Sequence, residues 1–335
     1  VYYSAFFLTT LFFITGCKHT GSADSKKTAA AAVIGTRKLT GHYNGDTALF
    51  DNALKVIANN DSGHLWPAAM PYPLAGALLP FNRIIAFYGN IYDSNMGIVG
   101  ELPKAELIKK LKSEMLSWSA ADTATPVIPA FHCVAVEKWD EPNTDGKLRD
   151  RVPFAQIDTL LNWAGELNGL VFLDLQVGNS TLQQELPLLE KYLSLPNVHL
   201  GIDAEFSIKN NANPAEPIGS FNSEDVNYSI DFLAGLVKKY HLPPRILIVH
   251  RFTENMIKGY EKIKKTPEVQ VVINMDGIGD KAAKEYSYYN FVYKQPVEFT
   301  GFKLFYKLDK THGMPIMSPK EILQLVPRPV YIQYE

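Results

Sequence analysis

Residues 170–206 read LVFLDLQVGNSTLQQELPLLEKYLSLPNVHLGIDAEF. An apolar run at 170–176 passes through a turn into an amphipathic run at 182–193. A second apolar run, at 198–206, follows. The two apolar runs are nearly continuous rather than alternating, as in strands covered on both faces in a parallel sheet. The stretch is therefore a strand–helix–strand unit. Similar apolar runs lie at 83–88, 127–136, 245–250, 269–275, 299–306 and 329–334. Amphipathic runs lie at 103–120, 153–167, 223–240, 253–264, 281–290 and 318–325. Pro103 opens a first turn, and Leu107, Leu111, Met115 and Trp118 follow at helical spacing. Glu224 and Asp225 place acid charge at a helix start, and Ser318-Pro319-Lys320-Glu321 is a capping box with Pro at the first helical position.

Eight strands with a helix in each of seven gaps predict an α/β chain, a single (β/α)8 TIM-type barrel. The span from 84 to 334 matches the roughly 250 residues typical of that fold. The final helix is expected to be absent, and a helix at 47–58 is available to fill its place. An open doubly wound sheet is the alternative, but no Gly-x-Gly-x-x-Gly follows any strand.

The chain has 335 residues, 46% hydrophobic and 20% charged, which is globular composition. Lys+Arg is 33 against 35 Asp+Glu, a net charge of −2 that argues against a nucleic-acid partner. The 12% aromatic content suits either a large core or a sugar-stacking surface.

Residues 1–16, VYYSAFFLTTLFFITG, are uncharged and too short to span a bilayer comfortably. They read as a signal peptide whose Met and basic patch are expected upstream. The run ends Ile14-Thr15-Gly16-Cys17, which resembles the bacterial lipobox. That resemblance implies lipidation of Cys17. Residues 17–40 then form a lipidated Cys and a flexible tether of small, polar and basic residues. Residues 41–335 form the barrel domain, including its N-terminal helix. The expectation is an exported chain, lipid-anchored to a bacterial membrane, periplasmic or at the cell surface. Cys133, inside VIPAFHCVAV, reads as a buried small hydrophobe.

In this barrel, chemistry gathers at the C-terminal ends of the strands. Those ends carry Tyr88 and Asn90, His132, Asp174 and Gln176, Asp203 and Glu205, His250 and Arg251, Asn274 and Asp276, Lys303 and Tyr306, and Gln333 and Glu335. All eight ends are polar, which points to a site at one mouth. Asp203 and Glu205 are the sharpest pair. On a strand, residues i and i+2 face the same side, with Cα atoms roughly 6.5 Å apart. Two close carboxylates do not easily both stay ionised, so one becomes an acid near neutral pH. Cleavage of a glycosidic bond needs such an acid and a second carboxylate.

Gly201-Ile-Asp203-Ala-Glu205 on a fourth strand resembles the end of the Asp-x-x-Asp-x-Asp-x-Glu motif of family 18 glycoside hydrolases. The resemblance implies that Glu205 is the acid and that Asp203 orients a substrate acetamido group. Val198 and Gly201 stand where the first two aspartates would be. The wider chain is similar to bacterial secreted and lipoprotein barrel domains through Tyr88-Gly-Asn90, Met96-Gly-Ile-Val-Gly-Glu101, Asn274-Met-Asp276-Gly and Gly301-Phe-Lys303-Leu-Phe-Tyr306. This second resemblance implies fold and export but no reaction.

The structural alternative for Asp203 and Glu205 is an ion-pair network with Arg251, Lys303 or Arg83. Asp174, Gln176 and Asp276 extend the polar mouth, and Asp276 is equally a turn residue before Gly277. His132 and His250 serve either as bases and substrate donors or as hydrogen-bonded structural residues. Lys303 either stabilises developing negative charge or holds a carboxylate. Tyr88 completes the mouth. Long loops at 89–102, 137–152 and 207–222 follow strands and bring Glu101, Tyr92, Trp139 and Phe221 as substrate contacts or rim packing. His132, Asp174, Glu205, His250 and Asp276 are the right types for a divalent ion, but no His-x-His or His-x-x-x-His spacing occurs, so no metal is assigned. No cofactor motif and no Gly-x-Ser-x-Gly is present.

The favoured expectation is a glycoside hydrolase-like enzyme acting on an envelope or extracellular glycan. Glu205 is its acid/base, Asp203 its partner, and Asp174, Gln176, His132, His250, Asp276, Lys303, Tyr88, Glu101 and Trp139 contact substrate. The alternatives are a non-catalytic protein binding a carbohydrate or other envelope ligand, and a metal-assisted hydrolase. The barrel alone does not choose among them, and the oligomeric state is open.

Overall fold

The computed structural model describes residues 42–208, 218–310 and 315–335. The expected signal peptide, Cys17 and tether lie outside the described residues, as does part of the 207–222 loop. Eight strands form the barrel: β1 Arg83–Gly89, β2 Val127–Lys138, β3 Leu170–Leu175, β4 Val198–Asp203, β5 Arg245–Arg251, β6 Val269–Met275, β7 Phe299–Leu304 and β8 Tyr331–Tyr334. Each pairs in parallel with the next, and β8 pairs in parallel with β1, which closes the sheet. Closure leaves no parallel edge, and both faces of every strand are covered, which explains the continuous apolar runs.

Side chains alternate in and out along each strand. The outward residues Phe87, Phe131, Cys133, Leu173, Leu200, Leu247, Val271 and Ile332 pack against the surrounding helices. Those helices include α2 Lys104–Ala121, α3 Phe154–Glu166 and α4 Ser223–Tyr240, which follow an N-terminal helix α1 Thr47–Ala58. Helix α4 begins one residue after its N-cap, Asn222, whose side chain accepts from Asp225 N while Asp225 caps it in return. Ser318 and Glu321 form the expected capping box on a short helix, Pro319–Ile322. Cys133 is buried and free.

Two expectations are corrected. The described residues 252–268 hold no α-helix. Ile257–Lys258 instead pairs with Phe221–Asn222 as a two-stranded parallel sheet, and Gly259 at φ 74° turns the chain away. Backbone pairing there overrides the helical spacing of the apolar residues. Helix α1 also does not stand in for an eighth outer helix. Its Phe50, Leu54 and Ile57 join a cluster with the inward residues Ile84, Ala86, Ile128, Ala130, Leu170, Phe172, Ile246, Ile248 and Val272. Those residues come from the first part of their strands, so α1 plugs the N-terminal end of the barrel. Asn59 ends the helix at φ 54°, and its Nδ2 donates to Leu325 O at 2.9 Å, which anchors the plug ahead of β8.

Candidate active site

The alternation that buries Ile84 and Ala86 also turns Tyr88 inward, and the same holds around the barrel. In sequence order the inward polar positions toward the ends of the strands are Tyr88, His132, Asp174, Asp203, His250, Asp276, Lys303 and Glu335. Register pairs Tyr88 with His132 and Asp203 with His250, while Asp174 stands beside Val134 and Gly201, and Lys303 beside Gln333. The C-terminal half of the interior is therefore polar and buried.

The groups are wired together. Tyr88 Oη donates to Asp174 Oδ2 at 3.2 Å and accepts from Gln176 Nε2 at 3.2 Å. Gln176 Oε1 in turn accepts from Lys138 N, tying the interior to the end of β2. His250 Nδ1 lies 2.8 Å from Asp276 Oδ2. His132 Nδ1 lies 2.6 Å from the Tyr331 hydroxyl and 3.0 Å from Gln333 Nε2. Asn274 Nδ2 donates to Gln333 Oε1 at 3.3 Å. Lys303 Nζ pairs with Glu335 at 2.7 Å and sits 3.9 Å from the centre of the Tyr88 ring.

Burial sets the protonation. It works against charge on both histidines, but the outcomes differ. Burial holds His132 down at about 4, so its ring is neutral at pH 7. For His250 burial is outweighed by the Asp174 and Asp276 carboxylates, which raise its pKa. Asp174 is held low despite burial, because His250, His132 and Lys303 surround it. Asp203 moves the other way. Burial pushes it well above the carboxylate range, against the pull of His250, and Asp276, Asp174 and Glu205 add repulsion. Glu205 is also raised, by burial first and then by Asp276. The mouth thus holds carboxyl groups of opposite tendency side by side.

The strand geometry expected for Asp203 and Glu205 holds only as far as Asp203. The chain then enters a short 3-10 turn, Ala204–Phe206, because Asp203 Oδ1 accepts from Glu205 N at 3.1 Å. Glu205 remains within electrostatic reach of Asp276, Lys303, His250 and Glu335. It is only partly buried, whereas Asp203 is buried.

Tyr88, His132, Asp174, Gln176, Asp203, His250, Asp276 and Lys303 are brought together, and Glu205 joins them through its backbone N–H on Asp203. Glu101 and Trp139 are not part of it. Glu101 pairs with Lys307 at 3.0 Å. Trp139, 49% exposed, lines a separate cleft of about 300 Å³ with Asn90, Tyr92, Asp93, Glu137 and Asp150. That cleft opens on the same face, because Asn90 and Glu137 end β1 and β2 and bond each other at 3.1 Å. Two arginines considered as partners for the carboxylates point elsewhere. Arg83 pairs with Asp122 at 2.8 Å at the start of β1, and Arg251 donates to Thr253 O and Glu254 O.

Tyr331 was not legible as a site residue. It reads as a core aromatic, yet its hydroxyl is the partner of His132 Nδ1. The available signal was parity, since Tyr331 is two residues from the inward Gln333. Gly201 is a further element of the site. A Cβ there would collide with His132 Nε2 and lie 2.5 Å from Asp174 Oδ1, so the strand must carry glycine where the family 18 motif has aspartate.

No protein-family model matches the chain, and no curated protein does. Among solved structures, the chain is similar to a tri-modular GH5 (subfamily 4) endo-beta-1,4-glucanase from Bacillus licheniformis, at 12% identity and a TM-score of 0.38 over 76% of this chain and 54% of that one. It is also similar to the 7,8-dihydropteroate synthase from Vibrio fischeri ES114, at 8% identity and a TM-score of 0.34 over 79% of this chain and 91% of that one. The chain thus spans about half the length of the glucanase it matches.

Proposed function

We propose that the chain is a hydrolase acting on a glycan at the C-terminal mouth of the barrel. Glu205 delivers a proton to the leaving oxygen, Asp203 is its partner, and water completes the cleavage. The observation that carries this reading is the position of Glu205, partly open to solvent and two residues past a buried Asp203 that accepts from its backbone N–H. An acid that must meet a substrate needs that combination of access and crowding. Asp174, His250, Asp276, Lys303 and Tyr88 would position the substrate. The exposed rings of Tyr92 and Trp139 in the adjoining cleft suit the apolar face of a sugar.

The test is hydrolysis of a panel of glycans by the full chain and by Glu205→Gln. Release of reducing ends by the wild type, lost at least 100-fold in the variant, is the expected result. Binding of a glycan by both forms without turnover by either would replace the enzyme with a carbohydrate-binding protein. The proposal also places the chain on a bacterial membrane through Cys17, supported by Ile14-Thr15-Gly16-Cys17 after an apolar run. Incorporation of labelled palmitate in a bacterial host that is lost in Cys17→Ala is expected. Equal labelling of both forms, or of neither, would remove the anchor.

A further inference from the structure

Three atoms of metal-ligand type inside the barrel have no hydrogen-bond partner. They are His132 Nε2, Asp174 Oδ1 and His250 Nε2, on residues that are wholly buried. Such atoms are rare in folded proteins and call for a water, an ion or a function. Asp174 Oδ1 lies 3.5 Å from His132 Nε2 and 3.6 Å from His250 Nε2. Those separations are at or beyond the limit of a hydrogen bond. They are close to the spacing of two ligands on one tetrahedral ion, roughly 3.4 Å for bonds of about 2.1 Å. All three atoms lie within 4.8 Å of one another.

Two further features fit a metal. The space in front of His132 Nε2 and Asp174 Oδ1 is kept open by Gly201, whose Cβ would fill it. The outer nitrogens are also held. His250 Nδ1 bonds Asp276 and His132 Nδ1 bonds the Tyr331 hydroxyl, the kind of outer contact that orients metal-bound imidazoles.

We propose that His132, Asp174 and His250 bind one divalent transition-metal ion through Nε2, Oδ1 and Nε2. The set of two imidazoles and one carboxylate suits Zn²⁺ or a neighbouring first-row ion, with a further position left for water or substrate. Binding removes the Nε2 proton of His250 as H⁺ and leaves its Nδ1–H in place, donating to Asp276 Oδ2. His132 must carry its proton on Nδ1, where the Tyr331 hydroxyl accepts it. The Gln333 amide, whose Nε2 is 3.0 Å from that nitrogen, then turns to present Oε1, and the Asn274 amide turns with it so that its Oδ1 accepts from Gln333 Nε2. The proposal does not depend on the glycan reading, because the ion binds whether or not a sugar is cleaved.

The test is calorimetric titration of the untagged full chain, stripped with chelator, against ZnCl2, with the visible spectrum of the Co²⁺ form alongside. One ion per chain and an intense four-coordinate Co²⁺ band are expected. His132→Ala and His250→Ala should each weaken binding at least 100-fold, and Asp276→Asn 10- to 100-fold. Cys17→Ser with Cys133→Ala should bind like the wild type. X-ray absorption at the zinc edge of the wild-type complex needs no variant to fold. It should show two imidazoles and no sulfur. Absence of binding, binding that survives both histidine substitutions, or a sulfur ligand would overturn the proposal; the first of these would leave a buried water among the three atoms.

Discussion

The two ends of the barrel interior share one backbone pattern and hold opposite residues. At the N-terminal end the inward positions are Ile84, Ala86, Ile128, Ala130, Leu170, Phe172, Ile246, Ile248 and Val272, sealed by Phe50, Leu54 and Ile57 of α1. Two to four residues further along the same strands the inward positions become Tyr88, His132, Asp174, His250 and Asp276, and β4 adds Asp203. The first end buries apolar surface and contributes stability. The second buries charge, which costs free energy unless every group is paired, and several atoms there are not paired. The difference sets stability at one end and, under the proposed function, chemistry at the other.

The largest expected effect lies at the sealed end. Phe50→Ala removes a ring that is 1% exposed and packs edge-on against Tyr43 and Tyr72. It should lower the unfolding free energy by about 3–5 kcal/mol, read by urea denaturation. A loss below about 1 kcal/mol would mean that α1 is a loose cover rather than part of the core.

A smaller effect tests the exception at that end. Glu298, just before β7, is buried and accepts from Val271 N at 2.7 Å, and burial pushes its pKa up to about 8. In the unfolded chain it ionises near the ordinary Glu value of about 4.3. The folded state therefore holds more protons between these two values, and stability falls as pH rises through that window. Glu298→Gln removes this loss. The variant should be more stable than the wild type at pH 8 by about 1–3 kcal/mol, and close to it below pH 4. Parallel pH profiles of the two proteins would show that Glu298 ionises normally in the fold.

Much of the barrel was legible because its strands are covered on both faces and so read as unbroken apolar runs. Val269–Met275 is bounded as expected, and the helix at 47–58 is where the pattern puts it. The segment after β5 was not legible, because Met256, Ile257 and Ile263 imitate a helix face. Their true constraint is pairing with Phe221 and Asn222, about 35 residues back in the chain. The reading of β4 ran past its end for a similar reason. The bond from Glu205 N to Asp203 is a side-chain event that strand periodicity does not register. The polar strand ends could be named one by one from the sequence. Their convergence could not, because it depends on register between strands, such as Asp174 beside Gly201. That pairing opens the space between His132 and Asp174, and it makes Gly201 as much a part of the site as the charged residues.

Under the proposed function the polar end serves chemistry and contributes little to stability. The direct measurement is the unfolding free energy of Asp203→Asn against wild type at pH 7, with chelator present. Asn keeps an oxygen for Glu205 N and removes a carboxyl crowded by Asp174, Asp276 and Glu205. The account predicts unchanged stability or a gain of up to about 1 kcal/mol, as expected when a strained functional site is relaxed. A loss of more than about 2 kcal/mol would contradict it, and would make the Asp203 network part of what holds the barrel together.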